Sequence, residues 1–162
     1  MSIIQVDTLQ KRDGSTFPIG KIGQVVQGSE LSSEISISST STYSDILSAS
    51  ITPTLTSSKI LVFHHIFRNQ RNSSGNVASN ITRITRNGTE IYFAGKGYGQ
   101  DYNAFIQATG ASAVDNWWDS GYQYLDSPSL TSSVEYKIQG KNKDGTYLRA
   151  RGGLITLMEV LA

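Results

Sequence analysis

The chain has 162 residues, 38% of them hydrophobic and 17% charged, and a formal net charge of +1 from 14 basic and 13 acidic residues. That length suits one domain with a short extension, and the charge balance excludes both a basic field for nucleic acid and an acidic tail. Cysteine is absent, which excludes disulfides, thiolate chemistry and cysteine-based zinc sites and fits folding in a reducing cytosol.

Residues 1–20 read as an N-terminal docking arm. Ile3, Ile4, Val6, Leu9 and Phe17 are its apolar anchors, and Lys11-Arg12-Asp13-Gly14-Ser15 is a polar turn within it. An arm of this length cannot bury those side chains by itself, so it is expected to dock on the domain or on a partner. It lacks the basic start and long apolar stretch of a signal peptide, and no stretch approaches the roughly 20 apolar residues of a membrane helix.

Residues 21–162 read as one β-sandwich domain. Ser, Thr, Gly and Tyr favour strands and turns over helices. Ile22 to Gln27 is the first strand, and Ile35 with Ile37 alternates with serine in the second. Leu47, Ala49 and Ile51 alternate with serine in the third, which ends at Thr52-Pro53 because proline cannot donate to a ladder. Ile81 to Phe93 is a hairpin about Asn87-Gly88, which suits both left-handed positions of a type I′ turn. Pairing outward from that turn sets Ile84 opposite Ile91 and Thr82 opposite Phe93 on one face. Arg83 then meets Tyr92, and Thr85 meets Glu90, on the other. Gly95 to Gly121, rich in aromatics among Gly, Asn, Gln and Asp, reads in part as a long loop. Val134, Tyr136 and Ile138 alternate cleanly with polar residues. Asp144-Gly145 and Gly152-Gly153 read as further turns, for nine or ten strands in all.

Two runs stand apart. Ile60 to Phe67 and Leu154 to Leu161 are apolar on both faces, whereas a strand of a two-layer sandwich needs only one apolar face. Something must cover the second face, and in so short a chain the expected cover is another copy. Leu61, Phe63, Phe67, Leu157 and Val160 are the candidate oligomer-interface residues.

No catalytic constellation is evident, so the chain reads as a non-enzyme. His64 and His65 are adjacent on a strand and point to opposite faces. They cannot share a metal, and each is expected in the core or at an interface, hydrogen-bonded. No metal or cofactor is therefore expected. Asp101, Asp115, Asp119 and Asp126 are scattered acids without a sign of convergence, and Asp126-Ser127-Pro128 reads as turn chemistry. Gly95-Lys96-Gly97-Tyr98-Gly99 lacks the phosphate-loop pattern. Exposed Tyr and Trp can stack on sugars or anchor protein contacts, so Trp117, Trp118, Tyr98, Tyr102 and Tyr122 form the candidate recognition set. Alternation alone would send one of Trp117 and Trp118 into the core.

Ile4-Gln5-Val6-Asp7-Thr8-Leu9-Gln10 followed by Phe17-Pro18-Ile19-Gly20-Lys21-Ile22 resembles the start of many tailed-phage exterior structural proteins, notably of phages of aquatic bacteria. Ile51-Thr52-Pro53, Ser57-Ser58-Lys59-Ile60-Leu61-Val62, Arg86-Asn87-Gly88-Thr89, Leu125-Asp126-Ser127-Pro128, Tyr136-Lys137-Ile138-Gln139 and Ile155-Thr156-Leu157-Met158-Glu159-Val160 continue the resemblance in order. The aromatic segment 95–121 has no counterpart in it. The resemblance implies a tail-fibre-like protein with a trimeric jelly-roll domain of the complement and tumour-necrosis-factor shape. The implied setting is the virion, after synthesis in the host cytoplasm. The implied partners are the chain itself as a homotrimer, other virion proteins, and a host surface glycan or protein. Neither nucleic acid nor membrane insertion is expected. A capsid decoration protein that stabilises the head shell is the alternative, and a polysaccharide depolymerase ranks third.

Overall fold

A computed structural model describes residues 21–72, 77–94, 104–107, 114–144 and 146–161. The arm residues Ile3, Ile4, Val6, Leu9 and Phe17, and also Tyr98 and Tyr102, lie outside the described residues. Ten strands follow one another: β1 Lys21–Gln27, β2 Ile35–Ile37, β3 Ser44–Ile51, β4 Lys59–Asn72, β5 Val77–Arg86, β6 Thr89–Ala94, β7 Ala104–Gln107, β8 Val114–Asp126, β9 Val134–Asp144 and β10 Tyr147–Leu161.

These strands form two antiparallel sheets. The first has the order β1-β10-β4-β8, with β2 also on β10; the second has the order β3-β9-β5-β6, with β7 on β5. The pairing is nested: β1 with β10, β3 with β9, β4 with β8 and β5 with β6. The chain therefore runs out and returns along itself as a ribbon, and the folded ribbon gives the two-sheet jelly roll expected from the sequence.

Period-two alternation sends one face of each strand into the space between the sheets. Ile60, Val62 and Ile66 of β4 meet Val134, Tyr136 and Ile138 of β9 there, with Ile155 and Leu157 of β10, all at most 1% exposed. Each such aliphatic side chain contributes about 1.5–3 kcal/mol by leaving water. Leu157 is fully buried in this core, so it does not belong to the outward set in which the sequence reading placed it. Both faces of β10 are apolar, and only the second sheet decides which one is covered.

Polar clamps close the sandwich. The Asp126 carboxylate, at the end of β8, accepts two bonds from Arg86 Nη1 (3.0 and 2.9 Å) and one from the Tyr136 hydroxyl (2.7 Å). Asp126 is thus a structural acid between the sheets rather than only a turn former. Glu159 is buried near the end of β10 and accepts from Gln24 Nε2 (2.8 Å), Thr54 N (2.6 Å) and Thr54 Oγ1 (2.7 Å). Burial alone would raise its carboxyl. The adjacent Ser58 hydroxyl and the donors from Gln24 and Thr54 outweigh that and hold it at about 2.

Three local readings change. The Asn87-Gly88 turn has the expected positive φ angles (46° and 83°), and Thr85 does face Glu90. Beyond that pair a bulge shifts the register, so Ile84 faces Tyr92, Arg83 faces Phe93 and Thr82 faces Ala94. The bulge lets Ile91 and Tyr92 both pack against the core. Gly152-Gly153 is no hairpin turn: it is a bulge inside β10, between Ala150 and Gly153. The strands flanking Asp144-Gly145 lie in opposite sheets, so that junction crosses the sandwich instead of closing a hairpin.

Candidate interaction face

Strand β4 shows how the face is made. Ile60, Val62, His64, Ile66 and Arg68 point inward and are buried, while Leu61, Phe63, His65 and Phe67 point outward. On β10 the outward residues are Leu154, Thr156, Met158 and Val160. Register sets Met158 beside Leu61 and Thr156 beside Phe63, and Leu125 of β8 lies on the other side of Leu61. On β1, Val25 faces Met158 and Ile22 faces Val160. The outer surface of the first sheet is therefore a continuous apolar stretch, with Ile22, Val25 and Leu125 at 58%, 54% and 46% exposure. Four of the five candidate interface residues, Leu61, Phe63, Phe67 and Val160, share this face. Ile22, Val25, Met158 and Leu125 complete it and were missed. Carrying strict alternation through β8 from Trp117 would have placed Leu125 there.

The face changes character along the strands. Six residues beyond Leu61, about 20 Å at strand rise, Phe67 stacks on Trp117 with ring centroids 5.2 Å apart and planes 17° from parallel. Arg151 lies over the Trp117 ring at 5.2 Å. Glu34 pairs with Arg151 (2.9 Å) and Arg149 (3.2 Å). His65 Nε2 lies 3.0 Å from Asp119 Oδ1. A cleft of about 520 Å³ opens here, lined by Gln27, Gly28, Glu30, His65, Phe67, Gly152, Gly153 and Leu154.

The recognition candidates do not gather on one surface. Trp117 points outward and is 37% exposed. Trp118 is its inward neighbour, with the Arg68 guanidinium 5.2 Å from its ring centre, as alternation requires. Tyr122 also faces inward, 5.4 Å from the His64 ring and 6.5 Å from Tyr92. Both leave the recognition set because β8 continues as a regular strand through residues 114–126, where the sequence suggested loop as far as Gly121.

His64 and His65 point to opposite faces as expected. His64 is 7% exposed, and its Nδ1 has no hydrogen-bond partner among the described residues. Burial, and then the charges of Arg68 and His65, push it down to about 4. It is therefore neutral near pH 7. His65 is exposed on the outer face and hydrogen-bonded to Asp119. Among the described residues, no three acidic or histidine side chains converge as metal ligands.

No family model matches the sequence, and no curated protein matches it. Among solved structures, the chain is similar to one in the crystal structure of the infectious bursal disease virus VP2 subviral particle, with 13% identity and a TM-score of 0.37. That alignment covers 98% of this chain and 42% of the other, so this chain spans less than half of that protein. A likeness this slight carries no argument about role.

Proposed function

We propose that this chain is a non-enzymatic structural protein on the exterior of a tailed-phage virion. In this reading it is tail-fibre-like, self-associates as a homotrimer, and attaches through residues 1–20. The observation that carries the self-association is the outer face of the first sheet, where Ile22, Val25 and Leu125 stand in water around Leu61, Met158 and Val160. A patch of that kind marks an interaction site in a folded domain. The ordered motifs that resemble phage exterior proteins support the virion setting.

Sedimentation velocity at micromolar concentration tests the assembly. The expected species is about 53 kDa, three times 17.6 kDa. A stable 17.6 kDa species would overturn it. Stoichiometry in the purified assembly tests the setting. A fibre is present in few copies, whereas the alternative, a capsid decoration protein, is present in many. Deleting residues 1–20 is expected to leave the sandwich folded and abolish attachment.

A further inference from the structure

We propose that the cleft at the β10 bulge binds one pyranose ring of a neutral sugar. The site is built by the backbone. Gly152 has φ 69° and Gly153 φ 154°, and a Cβ on Gly153 would lie 2.7 Å from the His65 carbonyl oxygen. Glycine alone meets both conditions: at Gly153 it lets β10 approach the β4 backbone, and at Gly152, where a Cβ would meet nothing within 4 Å, it leaves the hollow open. The segment after β1 forms the opposite wall and is pinned to β10. Gly28 N donates to Ile155 O at 2.9 Å, and Leu31 N donates to Gly153 O at 3.0 Å. The volume, about 520 Å³, falls within the range of small-molecule sites, about 300–1,000 Å³.

The lining selects the ligand class. Phe67 is one aromatic wall, and the Trp117 ring stacked on it holds its orientation. Leu154 adds a second apolar side chain, and Gln27, Glu30 and His65 bring a neutral amide, a carboxylate and an imidazole to the lining. A pyranose has the matching asymmetry: an apolar C–H face for the ring and hydroxyls for the polar groups. An anion is disfavoured by Glu30 and by the Asp119 carboxylate beside His65. A quaternary ammonium is better held by a cage of several aromatic rings, and among the described residues Phe67 alone supplies one to this cleft.

In this proposal Phe67 serves the cleft and not the interface: the cleft lies at the His65–Phe67 end of the face, and the Leu61, Met158 and Val160 stretch is left for the sister copy. The proposal goes beyond the proposed function and rests on it only for its biological setting. Sugar binding by the purified protein and its sedimentation as a trimer can fail separately.

The test is calorimetric titration of the full chain with glucose, galactose, mannose and N-acetylglucosamine, each taken to tens of millimolar, with choline as the cationic probe. Saturation by at least one sugar is expected. Phe67→Ala should weaken it about tenfold, and Glu30→Gln about fivefold with the trimer unchanged. Glu30 is exposed, so Glu30→Gln remains informative even where Phe67→Ala disturbs folding. Saturation by none of the sugars, or by choline in their place, would overturn the proposal. So would a sugar affinity indifferent to Glu30→Gln and Phe67→Ala.

Discussion

The two outer faces of the sandwich are made by the same alternation and end up chemically opposite. The second sheet shows water a linked polar surface. Gln139 donates to Asp45 at 2.6 Å and accepts from Arg83 Nε at 2.9 Å, while Lys137 Nζ reaches Asp45 at 2.9 Å. Arg83 also lies over the Tyr43 ring at 3.8 Å and pairs with Glu90 at 3.2 Å. The Gln139 bond, with Lys137 and Arg83 nearby, holds the Asp45 carboxyl below its usual range, and Asp45 in turn raises Lys137. The first sheet puts Leu, Met, Val and Ile at the corresponding positions. One face is finished as solvent surface, and the other keeps apolar side chains in water.

The largest effect expected from breaking this contrast is on assembly. Leu61→Lys with Met158→Lys puts two charges at the centre of the apolar face. Sedimentation should then show the 17.6 kDa monomer with an unchanged circular dichroism spectrum. A variant that remains trimeric would place the interface elsewhere. Leu157→Ala, one position from Met158 but pointing inward, should cost about 2–5 kcal/mol in urea unfolding. Leu125→Ala, on the outer face at 46% exposure and measured in the monomeric background, should cost far less. Equal losses would mean that the two faces of the first sheet are not distinct.

Acid sharpens the contrast between inside and outside. His64 is held neutral by the fold, so the unfolded chain binds its proton first. Stability should be full above about 6.5 and fall by roughly 3 kcal/mol as the pH drops to about 4. His64→Leu should flatten that limb of the pH profile, whereas His65→Leu, on the exposed face, should leave it in place. Glu159 acts lower down: its contribution is present above about 4.5 and is lost as the pH falls toward about 2. The smallest effect belongs to the polar face. Lys137→Met removes an exposed pair and should leave the thermal melt nearly unchanged.

Much of the fold was legible because period two is a local property. The strands around Ile35, Leu47 and Tyr136 were read from alternation, and the Asn87-Gly88 turn from the demand for positive φ. The split of Trp117 from Trp118 followed from the same rule. The errors share a cause. The slip between Ile84 and Ile91 and the bulge at Gly152-Gly153 each insert a residue whose place is set by packing across the sandwich, not by its neighbours in sequence.

The sequence by itself determined that this chain is made of strands and that β4 and β10 carry two apolar faces. Side-chain chemistry and the alternation of Cβ directions are enough for that. Which face became core was decided only when the sheets met. Val134, Tyr136 and Ile138 of β9 cover Leu157 and leave Leu61 and Met158 outside, because a sheet can bury just one of its sides against another. The cleft, too, exists only in three dimensions, where a bulge in β10, a loop after β1 and a ring from β4 come together.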